Sequence, residues 1–171
     1  FWRRLSFSIR SHLLTARMLF LDLHGNRSEN AKLIYEAALG PTKRAFALVL
    51  KELKADSNLP KWHFNQSTIL RKVLELRLTV LNYTDNKETL AKEVNELLPF
   101  AGKFKVNEPN WQRRNFRLDV AVMQATLLQM ENKAFTNDIK AQLEHAENFK
   151  NKYDFGRRRA AIRIMTAERY K

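Results

Sequence analysis

Leu118-Asp119-Val120-Ala121-Val122-Met123-Gln124-Ala125-Thr126-Leu127-Leu128-Gln129-Met130 is the most apolar run of the chain, with no Gly, no Pro and Asp119 as its one charge. Wound at about 3.6 residues per turn, it places Leu118, Val122, Ala125 and Gln129 on one side. Val120, Met123, Leu127 and Met130 fall on the neighbouring side. A helix apolar over most of its circumference is buried on several faces. A strand would need strict alternation, and this run is too long and too rich in Ala, Leu, Met and Gln. It reads as the central buried helix of an all-helical domain, from about Trp111 to Lys133, with Val122 and Leu127 nearly fully buried.

Helical periodicity recurs on both sides of it. Leu5–Leu23 carries a broad apolar face, with Arg3, Arg10 and Arg17 on a polar one, and Gly25-Asn26 ends it. Ser28 caps a short helix to Leu39, and Gly40-Pro41 reads as a stop. Thr42 then caps a helix over Lys43–Ala55, with Ala45, Leu48, Val49 and Leu53 inward, so that the pair forms a tight helical hairpin. Trp62 and Phe64 anchor the following loop. A helix from Asn65 or Ser67 to about Asn82 has Leu70, Val73, Leu74, Arg77 and Leu81 along one stripe. Asp85 and Glu88 stand three apart as a capping box for a helix ending at Leu98, and Pro99–Pro109 reads as a surface loop. After the central helix, Thr136 caps a helix to about Lys152. Gly156 breaks the chain before a last basic helix. The expected architecture is one all-α domain over residues 1–171, with about seven to eight helices in consecutive hairpins.

The net charge is +13, and it is uneven. Residues 1–27 hold five arginines against Asp22, and residues 151–171 hold seven basic residues against Asp154 and Glu168. The basic N-terminal segment 1–27 and the basic C-terminal helix 156–170 thus carry most of the excess. Such a surface suits phosphates, acidic protein faces or anionic lipid, or simply a solvated surface in a crowded assembly. The opening Phe1-Trp2-Arg3-Arg4-Leu5-Ser6-Phe7-Ser8-Ile9-Arg10 is rich in Arg and Ser, with Asp22 as the first acid. That composition belongs to mitochondrial targeting segments, so a mitochondrial location is expected. Arg10 and Arg17 interrupt the best candidate for a membrane span.

Catalytic signatures are missing. Cysteine is absent, which excludes thiol catalysis and Cys-based metal sites. His12, His24, His63 and His145 are scattered, and His145 between Glu144 and Glu147 reads as solvated polarity. Gly25, Gly40, Gly102 and Gly156 are isolated, so no phosphate-cradling loop forms, and there is no serine nucleophile elbow. The expectation is a noncatalytic protein with no cofactor, no metal and no small-molecule substrate.

Two basic clusters remain as candidate partner-binding sites. Arg113, Arg114 and Arg117 lie beside Trp111 and Phe116, a mixture that nucleic-acid surfaces often use. The plainer reading makes Trp111 and Phe116 core anchors with solvated arginines around them. Arg157, Arg158, Arg159 and Arg163 are denser, and Ala160, Ala161, Ile164 and Met165 give the same helix an apolar side. A partner contact is expected there, with an acidic protein surface favoured over RNA phosphate.

The hairpins at Ala31–Ala55, Thr68–Leu98 and Leu118–Lys152, the Arg/Ser-rich entry and the lack of any catalytic motif resemble mitochondrial pentatricopeptide-type helical arrays. Within that group the chain resembles the extra α-subunit-associated subunit of the euglenozoan mitochondrial F-type ATP synthase catalytic head. The resemblance implies a noncatalytic structural subunit on the outside of an α subunit. It implies the matrix side of an inner-membrane-associated complex, peripheral to the membrane at most. Lys51-Glu52-Leu53 and Asn95-Glu96-Leu97 stand 44 residues apart, which departs from the usual pentatricopeptide length. Base-by-base RNA reading needs regularly stacked repeats, so the spacing favours protein binding. An RNA-binding or mitochondrial ribosomal helical-repeat protein is the alternative.

Overall fold

A computed structural model describes residues 30–55, 64–105, 107–149 and 155–169. Among these the chain is all-helical, with six helices: α1 Asn30–Ala55, α2 Phe64–Tyr83, α3 Lys87–Ala101, α4 Trp111–Met130, α5 Asn137–Glu147 and α6 Phe155–Arg169. The helix expected over Leu5–Leu23, the Ser28 cap and the Trp62 anchor lie outside the described residues. The chain divides into two compact units, residues 1–86 and residues 87–171.

In the first unit α1 packs on α2. The expected stop at Gly40-Pro41 does not occur: α1 is a single helix with Pro41 inside it. Proline brings no N–H for the carbonyl one turn back, which ordinarily breaks a helix. Here other donors reach the carbonyls beside it. The Thr42 hydroxyl, instead of capping a new helix, donates backward to the Ala38 carbonyl at 2.7 Å. Arg77 of α2 donates from Nη1 to the Leu39 carbonyl at 3.0 Å and to the Thr42 hydroxyl oxygen at 3.1 Å. Arg77 is 2 % exposed, among the largest fully buried side chains of the chain. The α2 stripe of Leu70, Val73, Leu74, Arg77 and Leu81 is buried in full, as its spacing predicts. Ala45, Phe46, Val49, Leu50 and Leu53 are the buried apolar residues of α1 after the proline, while Leu48 is only half-buried.

Two helices end in the same way. After α2, the Asp85 N–H bonds to the Asn82 carbonyl and the Asn86 N–H to Leu81. After α4, Asn132 N–H bonds to Gln129 and Lys133 N–H to Leu128. This pair of bonds needs a left-handed residue at its corner, and Asp85 (φ 53°) and Asn132 (φ 54°) supply it. Asp85 therefore terminates α2 and is not the cap of α3. The same turn stops α4 at Met130, three residues short of the expected end.

In the second unit α4 is central. It packs against α3, α5 and α6, and α5 also packs against α6. Asn110 caps α4, its side-chain oxygen accepting from the backbone N–H of Gln112 and Arg113 at 3.1 Å each. Thr136 caps α5 as expected, accepting from Ile139 N–H at 3.3 Å. α3 continues through Pro99 to Ala101, because a proline so near a C-terminus forfeits only one bond of the last turns. α5 ends at Glu147, and α6 begins at Phe155 with Gly156 inside it. One face of α4, through Leu118 and Ala125, joins Phe135, Ile139, Leu143, Ala146, Ala161, Ile164 and Met165 in a single apolar cluster. Val122 only flanks this cluster, and Leu127 is half-buried, contrary to the expectation that both are nearly fully covered. The core positions are instead Leu118, Val120, Ala121, Met123 and Ala125. Leu143→Ala is expected to cost about 2–5 kcal/mol, the range of large-to-small core changes, and Leu127→Ala clearly less. Urea midpoints of the two variants check this; equal losses would place Leu127 in the core.

Glu52 of α1 is buried, and neither carboxylate oxygen has a hydrogen-bond partner among the described residues. Burial pushes its carboxyl above the ordinary value of 4.5, and the neighbouring Lys51 pulls weakly the other way. The folded chain thus holds this proton to a higher pH than the unfolded chain does. The stabilisation is complete below the ordinary carboxylate range and is lost as pH rises through the raised folded value. Glu52→Gln is expected to raise the melting temperature at neutral pH and to leave it nearly unchanged in acid. A difference independent of pH would show that Glu52 is not the titrating group.

Candidate functional site

The arginines at the start of α4 point into the second unit. Arg113 stacks its guanidinium over Phe104 at 5.4 Å from the ring centroid and lies 3.7 Å from the Glu108 carboxylate. Arg114 lies over Phe149 at 5.1 Å. Arg117 donates from Nη1 to the Phe104 carbonyl and from Nη2 to Asp138 of α5 at 2.8 Å. The buried Gln142, oriented with its amide oxygen toward this guanidinium, accepts from Nη2 at 3.2 Å. These three side chains tie α4 to the loop after α3 and to α5. Phe104 itself sits edge-on against Phe116 at 6.5 Å, so Phe116 is a core anchor as expected, whereas Trp111 is 39 % exposed. The aromatic and cationic cluster that looks like a nucleic-acid surface in the sequence is mostly internal packing.

Arg157 also belongs inside. Its Nε lies 3.1 Å from Asp119 Oδ1 and its Nη2 3.1 Å from Oδ2, a two-pronged pair across α6 and α4. The Arg157 side chain is 9 % exposed and that of Asp119 13 %. Of the four arginines expected at a partner contact, Arg157 is thus engaged inside the unit. A carboxylate on the central helix, far away in sequence, captures it before any partner can. The signal was present in sequence, since Asp119 is the lone charge in an otherwise apolar run and a buried charge calls for a partner.

Arg158, Arg159 and Arg163 are exposed. Arg158 makes one long bond to the Phe149 carbonyl at 3.4 Å. Ile162 is 40 % exposed and lies among them. The sequence pattern makes Ala160, Ala161, Ile164 and Met165 the apolar side of α6 and leaves Ile162 unassigned. The structure buries Ala161, Ile164 and Met165 against α4 and α5 and leaves Ile162 outside. At about 100° per residue, positions 158, 162, 159 and 163 fall within about 140° of the circumference. The arc was therefore computable from spacing alone. Arg169, near the end of α6, pairs with Glu147 of α5 at 3.6 Å.

Among the described residues no three His, Asp or Glu side chains converge as metal ligands. His145 packs edge-on against the Phe149 ring at 5.4 Å. No helix among them is long and apolar enough to cross a membrane. Comparisons with protein-family models, with curated proteins and with solved structures return no match.

Because Arg157 and Asp119 are both largely desolvated, removing either leaves an uncompensated charge. Arg157→Ala and Asp119→Ala are each expected to cost about 3–5 kcal/mol, and the double substitution less than their sum. Arg163→Gln, on the exposed arc, is expected to cost well under about 1 kcal/mol. Denaturant unfolding of the four variants tests the assignment, and additive losses would dissolve the pair.

Proposed function

We propose that the chain is a noncatalytic structural subunit that docks on a protein partner within a large mitochondrial assembly. The resemblance to the euglenozoan ATP synthase subunit points to an α subunit of the F-type catalytic head as that partner. One observation carries the protein-docking part of the reading: the disposition of the arginines. Arg113, Arg114, Arg117 and Arg157 are half-buried or buried within the second unit, whereas Arg158, Arg159 and Arg163 are exposed around an exposed isoleucine. A cationic rim about an apolar centre is the anatomy of a protein interface. Of the expected hairpins, the contact of α4 with α5 matches that over Leu118–Lys152, whereas Ala31–Ala55 is one continuous helix, so the scaffold reading rests on α4 and α5 and not on a regular repeat.

Nucleic-acid binding without base reading combines a basic groove with aromatic side chains on which bases stack. Phe116 is buried, and Phe104 and Phe149 are covered by Arg113 and Arg114, which weakens that alternative. Affinity capture of the tagged full chain from mitochondria, with cross-linking and mass spectrometry, tests the reading. Cross-links to an ATP synthase α subunit are expected. Recovery with ribosomal particles alone, together with RNA binding whose log–log salt slope corresponds to several phosphates, would overturn it.

A further inference from the structure

We infer that the outward arc of α6, formed by Arg158, Arg159, Ile162 and Arg163, is a docking strip for an acidic amphipathic helix of the partner protein. This rests on the reading of the chain as a protein-docking subunit and adds the place and the chemistry of the contact. Three guanidinium groups occur within six residues, all exposed on one side of one helix. No acidic residue lies on that helix between Phe155 and Ala167. The inner side of α6 is already committed. Ala161, Ile164 and Met165 sit in the apolar cluster, and Arg157 holds Asp119. The strip therefore belongs to a helix whose position within the second unit is fixed by the fold.

The occupant follows from charge and from Ile162. Guanidinium forks accept carboxylates in pairs, and glutamates four residues apart on a partner helix present carboxylates at the spacing of Arg159 and Arg163. Ile162 asks for an apolar contact between such acids, which a phosphate backbone does not offer. No aromatic residue lies between Arg158 and Arg163 in sequence, so the strip itself offers bases no ring between its arginines to stack on. The net charge of +13 works against a second copy of this chain as the occupant.

The test uses the purified full chain and a capped helical peptide bearing glutamates at i, i+4 with leucines between them, followed by fluorescence anisotropy. The triple variant R158Q/R159Q/R163Q is expected to weaken peptide binding by about tenfold or more, as loss of interface arginines does. Ile162→Ala, which changes no charge, is expected to weaken it severalfold. The same peptide with Gln for Glu should not bind. Circular dichroism and the urea midpoint of each variant should match the parent, because the substituted residues are exposed. Unchanged peptide affinity in Ile162→Ala would overturn the inference. So would a single-stranded RNA that binds more tightly than the peptide, depends on the same arginines and ignores Ile162. Capture of the mitochondrial partner by the triple variant in full yield would overturn the α6 strip and leave the subunit reading standing. Peptide binding through α6 with no protein captured from mitochondria would do the reverse.

Discussion

The pair between Arg157 and Asp119 fixes what the second unit can present to a partner. Both groups are largely removed from water, and the fork geometry engages both carboxylate oxygens. Desolvating two charges is expensive, so such a pair is a poor source of net stability compared with well-packed apolar residues. Its effect is on arrangement. With Arg157 held against α4, the helical period turns Ala161, Ile164 and Met165 inward and sends Arg158, Arg159, Ile162 and Arg163 outward. A rotation of α6 that brought Arg163 to the place of Ile164 would bury a second guanidinium and part Arg157 from Asp119. The pair thus selects one orientation of the last helix among several that apolar packing alone would tolerate.

Buried arginines perform the same service elsewhere. Arg77 crosses from α2 to the Leu39 carbonyl and the Thr42 hydroxyl oxygen on either side of Pro41, tying α2 to α1 where the proline interrupts its backbone bonding. Arg117 joins the loop after α3, α4 and α5 through a carbonyl and a carboxylate. In each case the five donors of a guanidinium meet acceptors that the backbone or a lone acid leaves open. A chain with four glycines and four prolines, and few turns, has long helices whose ends and kinks must be joined by side chains. The high arginine content is partly an answer to that need, so net charge overstates the cationic surface left for a partner.

The remaining surface is correspondingly specific. Acidic residues are sparse where α6 faces outward, and Ile162 breaks the run of cations with an apolar contact. In the first unit the carboxyl of Glu52, without a hydrogen-bond partner among the described residues, shows the opposite situation, a buried acid favoured in its neutral form. Arg77 and Arg157 are satisfied by acceptors far away in sequence, whereas Glu52 is favoured in its protonated form.

The sequence by itself determined what depends on neighbours within a few residues. The helical period, the Thr136 cap and the α2 stripe that includes Arg77 are such features, because they follow from side chains and backbone groups three or four positions apart. The apolar run at Leu118–Met130 likewise marked the helix around which the second unit packs. Only the tertiary structure decided that Gly40-Pro41 lies inside a helix, that Arg113, Arg114 and Arg117 turn to the interior, and that Arg157 is separated from Arg158, Arg159 and Arg163. Each of these outcomes depends on an acceptor or ring that another segment brings in: Leu39 for Arg77, Phe149 for Arg114, Asp119 for Arg157. Those partners stand 38, 35 and 38 residues away, and a contact across such a distance leaves no local period for a sequence to display.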